Sequence, residues 1–181
     1  MPLNLLILVA AIQGLTEFLP VSSSGHLLLI PIVTDFAYQG RVIDVAAHVG
    51  TLAAVAFYLR AEIIAIAAAI LRFGRNDPDH TRLGIMLVLA TIPVIIAGYI
   101  VNYANWHWLD MVYSLAIANL VFAVILWLAD KVPATRRDLG QIGLRHALII
   151  GIAQICALVP GASRSGVTIS AARFLGYNRV T

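Results

Sequence analysis

In the segment 11–30, AIQGLTEFLPVSSSGHLLLI, the residues Glu17, Pro20, Ser22, Ser23, Ser24, Gly25 and His26 interrupt an otherwise apolar run. A second segment, 150–169, IGIAQICALVPGASRSGVTI, is interrupted by Pro160, Gly161, Ser163, Arg164, Ser165, Gly166 and Thr168. The chemistry these residue types support is phosphate binding with proton transfer. The turn 22–25 offers hydroxyls and backbone N–H groups that can cradle phosphate oxygens. The turn 160–165 offers the same and adds the Arg164 guanidinium, whose planar fork grips a phosphate bidentately. His26 follows Ser23 by three residues, close enough for proton exchange. Gln13 and Glu17 are four apart, so they share one face of a helical turn and can point at a common ligand. A charge at the centre of a membrane helix costs roughly 2.5–3.5 kcal/mol even on lenient scales, which marks Glu17 and Arg164 as functional candidates. The plainer reading of Arg164 is a structural partner for Glu17.

The elements that must hold these residues follow from the same letters. Pro20 and Pro160 each remove a backbone donor, and Ser–Gly runs favour turns. Broken helix at membrane depth is stable only when it is buried in protein or lines a wet cavity. Each segment is therefore expected to be a helix–turn–helix hairpin that enters the bilayer partway. At an offset of 141, Gln13 meets Gln154, Ser22 meets Ser163, Ser24 meets Ser165 and Gly25 meets Gly166, while Pro20 and Pro160 miss the register by one. Three spans are expected between the hairpins. That odd number makes equivalent elements enter from opposite faces, an inverted-topology repeat whose broken segments meet near the midplane. The alternative is two unrelated Pro–Ser loops.

Composition sets the surroundings. Of the 181 residues 61% are hydrophobic and 12% charged, with a mean hydropathy of +0.91; soluble domains carry roughly 45–50% apolar and about 25% charged residues. Too little polar surface remains for disorder or for a water-soluble globule. The expected fold class is an all-α, polytopic integral membrane protein. A single cysteine, Cys156, excludes a disulfide scaffold and a multi-cysteine metal site. Twelve Lys and Arg against nine Asp and Glu give a net charge of +3. That excess fits loop charge better than nucleic-acid binding, and no nucleic-acid partner is expected.

Segments 83–109 and 111–129 lack Asp, Glu, Lys and Arg, and about 20 apolar residues cross a hydrocarbon core. A shorter run, 45–59, is a further span, the first in chain order, and contains His48, which faces the same cavity or packs between helices. The stretch 63–71, after Glu62, is expected to be an interfacial connector. No Lys or Arg precedes Arg41, so 1–11 lacks a signal-peptide basic region and reads as part of the membrane domain. Arg60, Arg72, Arg75 and Arg82 lie between the first two spans, and Lys131, Arg136, Arg137 and Arg145 follow the third. The positive-inside rule puts these basic loops in the cytoplasm, and 105–110 and 35–44 outside. Trp106, Trp108 and Trp127 fit an interfacial aromatic belt, and His80, His107 and His146 read as loop or interfacial residues. No Walker loop, GxGxxG fingerprint or HExxH occurs.

The stretch from Gln13 through Glu17 and Ser22-Ser23-Ser24-Gly25 to His26, and the stretch Pro160-Gly-Ala-Ser163-Arg164-Ser165-Gly-Val-Thr168, resemble the two signature motifs of the bacterial undecaprenyl-diphosphatase (bacitracin-resistance) family. Asp44-Val-Ala-Ala-His48-Val-Gly-Thr51 also resembles a family segment. The resemblance implies a hydrolase of the bacterial inner membrane with its active site facing outward. It would remove the terminal phosphate of undecaprenyl diphosphate for peptidoglycan synthesis and confer bacitracin resistance. By motif position Glu17, Ser23, His26 and Arg164 are its catalytic residues. The phosphate contacts are Ser22, Ser24, Gly25, Ser163, Ser165 and Thr168. A divalent cation, Mg²⁺ or Ca²⁺, is implied, with Glu17 and Gln13 as its holders; Gln13 is the neutral variant of its position. Ser23 activated by His26 attacks phosphorus, or Ser23 orients the phosphate while His26 and Glu17 activate water.

The alternatives from other classes are a lipid-phosphate transporter and an inactive truncated remnant. Family members are longer, so the chain is expected to be truncated within its second repeat. Its expected parts are a first hairpin in 1–31, three spans in 44–129, and the start of the second repeat with its hairpin in 130–181. A homodimer is among the expected assemblies.

Overall fold

The computed structural model describes residues 2–72, 77–104, 112–133, 137 and 142–178. The loop 105–110 with Trp106, His107 and Trp108, the basic residues Arg75 and Arg136, and the end of the expected span 83–109 lie outside the described residues. Every regular element among the described residues is a helix; the one β-type contact is an isolated bridge between Arg137 and Tyr177. The helices are α1 (Leu3–Thr16), α2 (Ser23–Val33), α3 (Arg41–Tyr58), α4 (Arg60–Leu71), α5 (Pro78–Ala104), α6 (Val112–Lys131), α7 (Leu144–Ala153), and α8 (Arg164–Phe174). A 3-10 turn, Gln154–Leu158, continues α7.

Among the described residues three helices are long and apolar enough to cross a membrane: Arg41–Tyr58, Pro78–Ala104 and Tyr113–Lys131. Each overlaps one of the three segments free of interior charge, with α3 and α5 beginning earlier, at Arg41 and Pro78. The others fall short. At 1.5 Å per residue the 14 residues of α1 rise about 21 Å, and the 11 residues of α2 rise about 16 Å, against a hydrocarbon core of about 30 Å. The expected connector 63–71 is part of α4, a 12-residue helix separated from α3 by Leu59 alone. Its Ala69 is buried, and Ile66 and Ile70 pack so closely on α5 that a Cβ at Gly84 would strike both.

Apolar packing joins α1 to α2 through Leu5, Val9, Leu27 and Ile30, with Leu8, Ile12, Phe36, Ile43 and Ala47 against them. On the other side α7 lies against α5, where a Cβ on Gly151 would run into the Ala90 backbone. Small residues permit this approach of backbones, which is how helices without a solvent-driven hydrophobic force gain contact. The second turn sits on α6 in the same manner: Gly161, at φ +96°, faces the Leu115 backbone with no room for a side chain. The far end of α8 is tied down by buried Arg173, which donates to the carbonyls of Tyr177 (2.9 Å), Asp130 (3.3 Å) and Val132 (2.5 Å). At the end of α6, the Lys131 ammonium lies 3.4 Å over the Trp127 ring.

Candidate active site between two serine turns

The last turn of α1 carries Gln13, Thr16 and Glu17. The helix ends there because Pro20 cannot continue it; the Glu17 N–H still donates to the Gln13 carbonyl at 3.0 Å. The chain then turns through 17–22 and restarts at α2. Ser22 caps that restart, its Oγ accepting from the Gly25 N–H at 3.2 Å and lying 3.3 Å from Ser24 Oγ. Ser163 caps α8 in the same way, accepting from the Gly166 N–H at 3.2 Å and lying 3.0 Å from Ser165 Oγ. The sequence match between these turns is thus a capping match, Ser-x-x-Gly at the start of an 11-residue helix in both places. The tips touch: Ser165 Oγ donates to the Leu19 carbonyl at 3.1 Å.

Between the tips is a cavity of about 400 Å³. Eight of the residues singled out from the sequence line it, namely Glu17, Ser22, Ser23, Ser24, Ser163, Arg164, Ser165 and Thr168. They are joined there by Thr16, His48, Gln154, Ala157 and Ala162. The N-termini of α2 and α8 both open on it, each presenting free N–H groups and the positive end of a helix dipole, the usual setting for phosphate.

Glu17 is the hub of the hydrogen bonding. Its Oε2 accepts from Ser23 Oγ at 2.5 Å and from Gln13 Nε2 at 2.9 Å, and lies 3.7 Å from His48 Nε2. The short O–H···O contact is a direct hydrogen bond from the Ser23 hydroxyl to a carboxylate oxygen. His48 is oriented from behind, its Nδ1–H donating to the Asp44 carbonyl at 2.7 Å, which leaves Nε2 toward Glu17. Gln13 is 1% exposed and also donates to Thr51 Oγ1 at 3.4 Å, while its Oε1 is buried without a partner.

Two expected contacts take another form. Ser23 pairs with Glu17, six residues back along the turn, whereas the His26 ring folds onto the Ser22 carbonyl at 2.7 Å and does not border the cavity. The reason is helical geometry: His26 lies four residues after Ser22 inside α2, so its Nδ1 reaches that carbonyl more readily than the side chain of Ser23. Arg164 is exposed to the cavity, and among the described residues no carboxylate pairs with it. Gly25 is buried behind the turn, where its N–H serves the Ser22 cap. His48 is the residue whose place the sequence left open, and its spacing from Asp44, four apart, was the available signal for an oriented ring. Among the described residues no group of three or more His, Cys, Asp or Glu side chains gathers as a metal cluster.

Comparison with known families decides what kind of protein this is. The family model described as bacitracin resistance protein BacA matches residues 6–181. The chain belongs to the bacitracin resistance protein family. Its relatives include proteins named undecaprenyl-diphosphatase from Dinoroseobacter shibae (49% identical over 179 residues, 96% of this chain and 66% of that protein) and from a Ruegeria species (47% over 186 residues, 99% and 68%). A third, from Teredinibacter turnerae, carries the same name and is 47% identical over 175 residues, 96% of this chain and 66% of that protein. The chain thus spans about two thirds of the length of these bacitracin resistance relatives.

Proposed function

We propose that the chain carries the activity its relatives are named for: it hydrolyses undecaprenyl diphosphate to undecaprenyl phosphate and inorganic phosphate, returning a lipid carrier to cell-envelope synthesis and conferring bacitracin resistance. The observation that carries the reading is the 2.5 Å Ser23–Glu17 contact in a cavity that also holds Arg164 and the N-termini of two helices. The terminal phosphoryl group binds against Arg164 and the backbone N–H groups of the second turn, which stabilise charge as it develops. Glu17 takes the Ser23 proton while Oγ bonds to the terminal phosphorus and the bridging P–O bond breaks. The proton passes to the departing lipid phosphate. Glu17 then deprotonates a water that cleaves the phosphoserine, releasing phosphate and restoring the Ser23 hydroxyl.

The oxygen donors fit a hard divalent cation, Mg²⁺ or Ca²⁺. The unpartnered buried Gln13 Oε1 and the Glu17 carboxylate are the groups that would hold it, and it would offset the charge of the diphosphate. Glu17 is the one carboxylate among the described residues lining the cavity, so such an ion would need further oxygen donors from substrate and water.

The matched Ser caps and the short helices on either side of the turns support two re-entrant hairpins in an inverted repeat, the first within 1–31 and the second within 130–181. The positive-inside rule, applied to the basic residues that follow the first and third spans in the sequence, supports an inner-membrane protein whose cavity opens outward.

Phosphate release by the purified full chain in detergent tests the reading. Ser23→Ala and Arg164→Ala are each expected to lower kcat/KM by about 100-fold or more, and chelation by EDTA to stop turnover until Mg²⁺ is restored. Near-normal turnover by a folded Ser23→Ala chain would overturn it.

A further inference from the structure

Two stripes of polar residues meet where α1 packs on α3. Gln13 and Glu17 are one turn apart on α1, and Asp44, His48 and Thr51 follow one another at four and three residues on α3, so each set shares a helix face. Across the gap Thr51 Oγ1 accepts from Gln13 Nε2 at 3.4 Å, and His48 Nε2 stands 3.7 Å from Glu17 Oε2. The second separation is too long for a hydrogen bond. The His48 ring gives its Nδ1–H to the Asp44 carbonyl at 2.7 Å, so in the neutral ring Nε2 is a bare lone pair turned toward a carboxylate oxygen. Two acceptors face each other, and positive charge belongs between them. A second ring proton would supply charge, but Glu17 is too far away to accept it.

A metal ion suits that gap. Two donors on one ion, each about 2.0–2.2 Å from it at tetrahedral to trigonal angles, stand about 3.3–3.8 Å apart. An imidazole that binds a metal through one nitrogen regularly gives the N–H of the other to a backbone carbonyl. His48 has both the spacing and the tether. Gln13 Oε1, on the amide whose Nε2 donates to Glu17 at 2.9 Å, is buried beside the pair without a partner. The geometry points to His48 Nε2 as a ligand of the divalent cation of this cavity, together with Glu17 and Gln13 Oε1, in a mixed nitrogen and oxygen site that prefers a first-row transition ion to Ca²⁺. This rests on the cation reading proposed above and adds to it a ligand and a selectivity. Ca²⁺ and Mg²⁺ favour oxygen donors, whereas an imidazole suits borderline ions, whose affinity rises from Mn²⁺ through Co²⁺ to Ni²⁺. Glu17 and His48 both border the cavity, so the site keeps an open side.

Co²⁺ is the probe, added to the untagged full chain in detergent with no substrate present. Calorimetric titration is expected to show Co²⁺ bound at least about tenfold more tightly than Ca²⁺, and X-ray absorption at the cobalt edge to show the outer-shell scattering of an imidazole ring. His48→Gln keeps an oxygen donor in place of the ring. It should lose that scattering and weaken Co²⁺ by about tenfold or more, with Ca²⁺ held within about threefold. A cobalt spectrum of the unaltered chain without ring scattering sinks the inference, whether or not the variant folds. His80 is the control, since its ring also lies beside carboxylates, 2.6 Å from Asp77 and 3.4 Å from Glu62. Ring scattering that vanishes in His80→Gln and persists in His48→Gln overturns the assignment. The readings fail separately. Co²⁺ that depends on Glu17, by loss in Glu17→Gln, yet is held by oxygens alone removes His48 and leaves the cation reading. Co²⁺ that fails to bind, or binds equally well to Glu17→Gln, removes both. Phosphate release is measured apart from these spectra, so its absence bears on the phosphatase reading and not on the ligand.

Discussion

Leu27 loses its ordinary helical partner because Pro31, four residues on, has no N–H. Buried Gln39 fills the gap: its Nε2 donates to the Leu27 carbonyl at 3.4 Å and to Asp44 Oδ1 at 2.7 Å, stapling α2 to the start of α3. Gln39→Leu is therefore expected to cost about 1–3 kcal/mol by leaving a carbonyl unsatisfied. Pro31→Ala restores the missing donor, so the double variant should recover part of that loss, a coupling that a denaturation cycle on the four proteins reads. The same cluster holds Tyr38, whose hydroxyl donates to Asp44 Oδ2 at 2.6 Å. Burial first, then the Asp44 hydrogen bond and charge, push the phenol from 10.0 up to about 12. A raised acid holds its proton more tightly in the fold, so this contribution to stability is complete below pH 10.0 and is lost as pH climbs through about 12. Tyrosinate absorbance, taken as a difference against Tyr38→Phe, should show the late titration, and Asp44→Asn should move it back toward 10.0. At this scale the charges were the legible part. Glu17 and Arg164 announce themselves because apolar sequence does not tolerate them without reason. The Ser23–Glu17 contact was not legible, since a separation of six fits no helix face and depends on how the turn 17–22 folds back.

Helix length explains why the two broken segments are neither spans nor loops. Rises of about 21 and 16 Å leave α1 and α2 each shorter than the roughly 30 Å of a hydrocarbon core, with a polar turn between them. The same holds for α7 with its 3-10 extension, followed by α8. Both turns were readable because Pro, Ser and Gly punctuate them, and the three spans were readable from interior charge alone. What letters could not supply is which neighbour each turn rests on. Gly161 answers this for the second turn: its φ of +96° disfavours a side chain, and the Leu115 backbone occupies the space one would need. Gly161→Ala is expected to cost at least about 1–3 kcal/mol and to lower Tm. Gly14→Ala is the control: nothing lies within 4 Å of its would-be Cβ, and alanine in a helix should be neutral or stabilising by up to about 1 kcal/mol. Equal effects at the two positions would remove the reason given for Gly161.

For the molecule as a whole, orientation is the property that ties site to substrate. The connector 34–40 and the end of α6 should face opposite sides of the membrane. With exposed Cys156 replaced by serine, Tyr38→Cys is expected to react with an impermeant maleimide added to intact cells, and Lys131→Cys only after permeabilisation. The reverse pattern would turn the cavity to the cytoplasm. The bond from Ser165 to the Leu19 carbonyl spans 146 residues of sequence, and it also orders events in time. A ribosome adding about 5–20 residues per second takes roughly 7–30 s to travel from one partner to the other. Over that interval the nascent chain has Glu17 and Ser23 but not Arg164. The cavity has one wall until the second turn arrives to supply the other.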